Sequence, residues 1–74
     1  MTLYDFNKLT LEEKKSTLWK LGIFLDNFVT DKERINCYAI GKFFVEVHYD
    51  RKFNAITSIT AFKYGPNLDK YSKL

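Results

Sequence analysis

Two residues, Gly41 and Lys42, separate two runs of strand-forming side chains, Arg34-Ile-Asn-Cys-Tyr-Ala-Ile40 and Phe43-Phe-Val-Glu-Val-His-Tyr49. No other feature limits the chain so tightly. A two-residue connection joins antiparallel neighbours, and glycine in its first central position is what a type II′ turn requires, because φ is positive there. The turn therefore fixes a register in which Ile40 opposes Phe43, Ala39 opposes Phe44, Tyr38 opposes Val45 and Cys37 opposes Glu46. Side chains alternate across a sheet and opposed residues share a side. One face consequently collects Tyr38, Ile40, Phe43, Val45, Val47 and Tyr49.

Upstream of this hairpin the period is helical. Thr10-Leu-Glu-Glu13 is a capping box: the Thr10 hydroxyl accepts from the backbone N–H of Glu13, and the Glu13 carboxylate reaches back to that of Thr10. A helix is predicted from Leu11 to Leu21, ending at Gly22 in a left-handed cap. Leu11, Leu18 and Leu21 form its apolar stripe, with Trp19 at the flank and Lys14 and Lys15 interrupting the first half. A second box, Thr2 with Asp5, predicts one or two earlier turns around Leu3, Tyr4 and Phe6.

Past Gly22 the period becomes two, predicting a strand over Ile23 to Val29. Thr30-Asp-Lys-Glu33 then supplies a turn. Asp50-Arg-Lys-Phe-Asn54 makes a longer loop closed by Asn54, a residue that tolerates the left-handed conformation. The last strand runs from about Ala55 to Lys63, and the opposite parity of Ile56 and Ile59 calls for a bulge or a looser register near Thr57. Gly65-Pro66-Asn67 ends it, leaving Leu68 to Leu74 as at most a fraying helical turn. The expected architecture is α+β: a single small domain over residues 1–74, with an N-terminal helix packed on one face of a four-stranded antiparallel β-meander. Leu18, Leu21 and Trp19 are placed against the Tyr38 face, joined by Ile23, Leu25 and Val29 from the first strand and by Ile59 and Ala61 from the last.

A chain of 74 residues sits near the lower limit for one unassisted hydrophobic core. Disulfides do not help, because Cys37 is alone, and one Cys with one His cannot complete a tetrahedral zinc site. The remaining resource is aromatic: seven Phe, five Tyr and one Trp, each ring able to bury about 150–250 Å². Self-association is the other route to stability.

These residues also exclude functions. The three glycines are consumed by a helix end, a hairpin and a strand end, so neither the dinucleotide nor the P-loop spacing exists, and no cofactor is expected. The start lacks a secretory leader's pattern, and no run approaches the roughly 20 apolar residues of a membrane span. A soluble, cytoplasmic protein without membrane contact is expected. The net charge of +3 is spread among 12 basic and 9 acidic residues with no basic run longer than two, as on a mixed solvated surface.

One short helix can cover only one side of four strands. The opposite face is expected to carry Phe24, Phe28, Ala39, Phe44 and Phe62 with Cys37, Asp26, Glu46, His48, Ser58 and Thr60. An open face this aromatic suggests a contact site for a protein partner or a second copy of the chain, unless the N-terminal segment or C-terminal tail folds across it. On this reading Phe24, Phe28, Phe44, Phe62 and Ala39 are the partner-binding residues of a small non-enzymatic module: an inhibitor, an antitoxin- or immunity-like factor, or a regulatory subunit. The alternative is single-stranded nucleic-acid binding by base stacking on the same face, with Lys42 and Lys63 near the strand. Against it stand Asp26 and Glu46 on that face and the missing signatures of the common RNA-binding sheets. Cys37, Glu46 and His48 bring together the parts of a thiol nucleophile. Nothing in the sequence adds an oxyanion hole or an electropositive setting, so no catalytic residue is assigned.

Overall fold

A computed structural model describes residues 1–63. It shows two helices, α1 (Leu3–Asn7) and α2 (Leu11–Leu21), followed by strands β1 (Ile23–Val29), β2 (Glu33–Ile40), β3 (Phe43–Asp50) and β4 (Ala55–Phe62). The strands form one antiparallel sheet in the order β1-β2-β3-β4, the meander anticipated from the turns. The expected ending at Gly65-Pro66-Asn67 and the turn over Leu68 to Leu74 lie outside the described residues.

Both helices begin where the capping boxes put them. Thr2 and Asp5 exchange hydrogen bonds of 3.2 and 3.1 Å, and Thr10 and Glu13 exchange bonds of 2.8 and 3.2 Å, so each box satisfies two backbone donors that a helix start leaves open. The far end of α2 differs from expectation. Gly22 has φ −74° and ψ 139°, extended rather than left-handed, because the chain passes straight from helix into β1 while the Gly22 N–H still donates to the Leu18 carbonyl at 2.9 Å. Glycine is required there for room: a Cβ would lie 2.7 Å from that carbonyl oxygen.

α1 lies against β4 and α2 against β2, on the same side of the sheet. Phe6 and Leu18 are their buried anchors, packed with Ile40, Phe43, Val45 and Val47, and Leu3, Leu9, Tyr38, Tyr49, Ile56, Ile59 and Ala61 close the cluster around them. Phe6 meets Phe43 with ring centroids 5.7 Å apart, so the N-terminal segment covers the helix side and not the opposite one. Leu18 alone carries the apolar contact of α2. Leu11, Trp19 and Leu21 are exposed, while Lys14 and Lys15 are half-buried, which corrects the expected stripe. Trp19 stands about 100° around the helix from Leu18 and points away from the sheet. The lysine stems flank Leu18 instead, with Lys14 Nζ 5.8 Å from the centre of the Phe6 ring.

The β2–β3 register matches the turn-based prediction pair for pair. Gly41 has φ 56° and Lys42 is not left-handed, as a II′ turn demands. On β4 the register slips between His48/Ser58 and Tyr49/Ile56, leaving Thr57 as the extra residue, and its hydroxyl donates to the His48 carbonyl at 3.2 Å. The bulge near Thr57 is therefore present.

The first strand contains a second bulge, and this one reverses expected faces. Phe24 opposes Tyr38, but Asp26 opposes Cys37, so Leu25 is inserted between them. Phe24 consequently belongs to the helix side, while Leu25 and Asp26 both turn to the other. Ile23, opposite Ala39, also belongs to that second side. Strict alternation had put Ile23 and Leu25 under the helix and Phe24 across from them; one inserted residue exchanges the assignments.

Candidate functional site

The second face of the sheet has an interior of its own. Ile35, Cys37 and Phe62 are buried there, with Leu25, Phe28 and Phe44 packed against them. Phe44 and Phe62 are register partners, and their rings stack with centroids 5.8 Å apart. Of the five partner-binding residues expected from the sequence, Phe28, Phe44, Phe62 and Ala39 do share this side, and Phe24 does not. Their accessibility is less than an open face would give. Phe62 is only 9% exposed, and Phe28, Phe44 and Ala39 are half-buried.

A polar row crosses the same face. Asp26, Cys37, Glu46 and Thr60 stand opposite one another on successive strands. Asp26 and Glu46 are buried carboxylates; Asp26 Oδ1 accepts the backbone N–H of Asn27 at 2.8 Å. His48 lies between two acids, its Nδ1 3.6 Å from Glu33 and its Nε2 3.7 Å from Glu46. The proximity of Cys37, Glu46 and His48 read from the hairpin register is thus real. Cys37 is 0% exposed, however, so the thiol offers no surface for attack on a substrate. Among the described residues no group of His, Cys, Asp and Glu has the arrangement of a metal centre.

Exposed apolar side chains gather elsewhere, at the junction of α2 and β1. Trp19 is 68% exposed, Leu21 53%, Ile23 66% and Phe24 53%. Two structural causes act together: α2 is anchored through Leu18 alone, and the bulge at Leu25 exchanges the sides of Ile23 and Phe24 relative to the rest of the edge strand, so that Phe24 takes the helix side and Ile23 the second face. Phe24 rests edge-on against Tyr38, centroids 5.7 Å apart, and Ile23 continues the row of Ala39, Phe44 and Phe62 outward. The exposed side chains therefore lie on both sides of the β1 edge, Phe24 on the helix side and Ile23 on the second face. The sequence contains the four residues in plain view. Their spacing fits burial equally well, and only Gly22, which compresses the helix-to-strand corner, hints that both flanks cannot turn inward.

Among the described residues no helix is long and apolar enough to cross a membrane. No protein-family model, curated protein or solved structure matches this chain.

Proposed function

We propose that the protein acts by binding another polypeptide through the apolar edge formed by Trp19, Leu21, Ile23 and Phe24. The observation that carries this reading is the exposure of four large apolar side chains within residues 19–24, beside an edge strand. Contiguous exposed apolar surface marks interaction sites, and an edge strand adds backbone donors and acceptors that a partner strand can pair. Phe28, Phe44 and Ala39 flank the contact on the second face, and Phe62 supports them from the interior. An inhibitor, an antitoxin- or immunity-like factor and a small regulatory subunit all work through a contact of this kind. A single cysteine and no disulfide suit a reducing compartment such as the cytoplasm.

A second copy of the chain is the simplest occupant. Two β1 edges related by a two-fold axis would extend the sheet and bury both patches, in the isologous manner of most dimers. Base stacking is less well supported, because Phe44 already lies stacked on Phe62 and the same face holds the buried Glu46.

Trp19 is the only tryptophan, so its fluorescence reports directly on the patch. A concentration series should shift its emission to the blue as the mass measured by light scattering doubles, and Phe24→Glu should abolish both changes while leaving cooperative unfolding intact. A monomeric mass with unshifted emission at all concentrations removes the homodimer. Proximity labelling in cells then tests a heterologous partner: proteins enriched by the wild type should be lost with Trp19→Glu/Phe24→Glu. An identical set for both chains would overturn the reading.

A further inference from the structure

Where the sheet ends away from the β2–β3 turn, Arg34, Tyr49, Asp50, Arg51 and Asn54 enclose a concavity of about 120 Å³. It lies apart from the Trp19–Phe24 patch and contains both arginines of the chain. Each guanidinium is held by something other than an acid. Arg34 and Tyr49 are register partners on β2 and β3, and the Arg34 guanidinium lies over the Tyr49 ring, 5.0 Å from its centre. Arg51 is fixed at both ends: its backbone N–H donates to the Lys32 carbonyl at 3.1 Å, and its Nη1 donates to the Thr30 carbonyl at 2.7 Å. Stacking on a ring and donation to a carbonyl orient a guanidinium without neutralising it.

Among the described residues Lys15 pairs with Glu12, and the carboxylates of Glu33 and Glu46 lie beside the His48 ring; neither arginine has an acidic partner of this kind. Asp50 is the one acid lining the concavity, and its carboxylate is turned into the β3–β4 loop. Its Oδ1 accepts the backbone N–H groups of Lys52 at 2.8 Å and Phe53 at 3.1 Å. Asn54, left-handed at φ 51°, closes that loop and brings a neutral amide to the wall. Two oriented cations thus face a pocket with one carboxylate, whose charge remains but whose Oδ1 is occupied by backbone donors, so the lining keeps an excess of positive charge.

Size narrows the ligand. The volume of about 120 Å³ admits a tetrahedral oxyanion and is well short of the ~300–1,000 Å³ of pockets for larger organic ligands. An arginine has five N–H donors in a planar fork that matches phosphate oxygens two at a time, and Arg51 has spent one of them on Thr30. Two such forks suit a doubly charged group better than a monocarboxylate. We propose that Arg34 and Arg51, with Tyr49 and Asn54 as walls, form a binding site for a phosphate dianion, either the free ion or a phosphomonoester.

The test is a titration of the whole chain with inorganic phosphate, and separately with phosphoserine, at pH 7.5 and constant ionic strength, followed by ¹H–¹⁵N spectra that include the arginine Nε–H groups. Saturable shifts confined to the Arg34 and Arg51 side chains and the backbone of residues 51–54 are the expected result. Tighter binding of phosphoserine identifies an ester as the ligand, and tighter binding of inorganic phosphate identifies the free ion. Arg34→Gln should weaken binding about tenfold or more, as expected when a charge-assisted hydrogen bond is removed. Arg34→Lys keeps the charge and loses the fork, so it too should weaken binding, whereas Lys20→Gln removes an equal charge from α2 and should change nothing. Each variant's amide spectrum verifies its fold. Shifts that never saturate and spread over the lysines, or an affinity unchanged in both Arg34 variants, would overturn the proposal.

Discussion

Phe24 and Tyr38 meet edge to face across β1 and β2, their rings inclined at 75° with centroids 5.7 Å apart. This pair is the main aromatic contact tying the edge strand to the helix side of the sheet. Phe24→Leu keeps apolar area but removes the ring's electrostatic complement, and should lower unfolding free energy by about 0.5–1.5 kcal/mol. Tyr38→Leu should do likewise, and the double variant should fall short of the sum, since both changes remove the same contact. Urea titrations of the four proteins measure this coupling; full additivity would count against it.

Phe6 and Trp19 are two large aromatic residues of the helical region with opposite environments, one with 0% exposure and one with 68%. Phe6→Ala should cost about 3–5 kcal/mol, because it opens a void against Phe43. Trp19→Ala should stay within about 0.5 kcal/mol, the range of surface changes. Circular dichroism is the suitable probe, since it does not depend on the indole. A large loss from Trp19→Ala would mean that the patch is part of the folded core.

Gly41 and Gly22 are needed for different reasons, and alanine separates them. At Gly41 nothing lies within 4 Å of an added Cβ, so Gly41→Ala pays only for the left-handed backbone, about 1–2 kcal/mol. D-alanine, whose preferred φ is positive, should restore or exceed wild-type stability there. At Gly22 the backbone is ordinary and the clash with the Leu18 carbonyl is the penalty, so neither enantiomer's φ preference explains the loss in Gly22→Ala. Chemical synthesis of the variants and their thermal midpoints test both statements.

Burial holds the Tyr49 hydroxyl above its ordinary value of 10.0, reinforced by Tyr38 and opposed by Arg34, a hydrogen bond with Asn36 and Lys15. The folded state therefore keeps this proton after the unfolded chain has lost it. The stability this provides is complete below about pH 10 and declines as pH rises through the higher folded value. Tyr49→Phe should flatten the alkaline fall in stability relative to the wild type. Parallel slopes above pH 10 would contradict the raised Tyr49 hydroxyl.

How much could be read from the residues depended on whether a local device fixed the register. Gly41-Lys42 is such a device, and every β2–β3 pair followed from it. Ile56 and Ile59 disclosed the slip at Thr57 because both are apolar and both belong under the helices. At Leu25 no such conflict existed: Ile23, Phe24, Leu25, Phe28 and Val29 make either parity plausible, so the bulge was silent and Phe24 was assigned to the wrong face. Trp19 and Leu21 were misplaced for a related reason. Helical spacing tells which residues share a side of α2, but not that Leu18 alone would reach the sheet.

The uneven strength of the strand pairings has a kinetic side. β2 and β3 pair without interruption from Glu33/Asp50 to Ile40/Phe43 around a two-residue turn, whereas the β1 and β4 pairings are each broken by an inserted residue. Loop closure is least costly at Gly41-Lys42, so the central hairpin should assemble first and template its neighbours, with most contacts made between segments close in sequence. Substitutions in the central hairpin, such as Val45→Ala, should slow refolding, while Phe24→Leu should mainly hasten unfolding. The edge that bears the apolar patch would then dock after the central hairpin and detach before it.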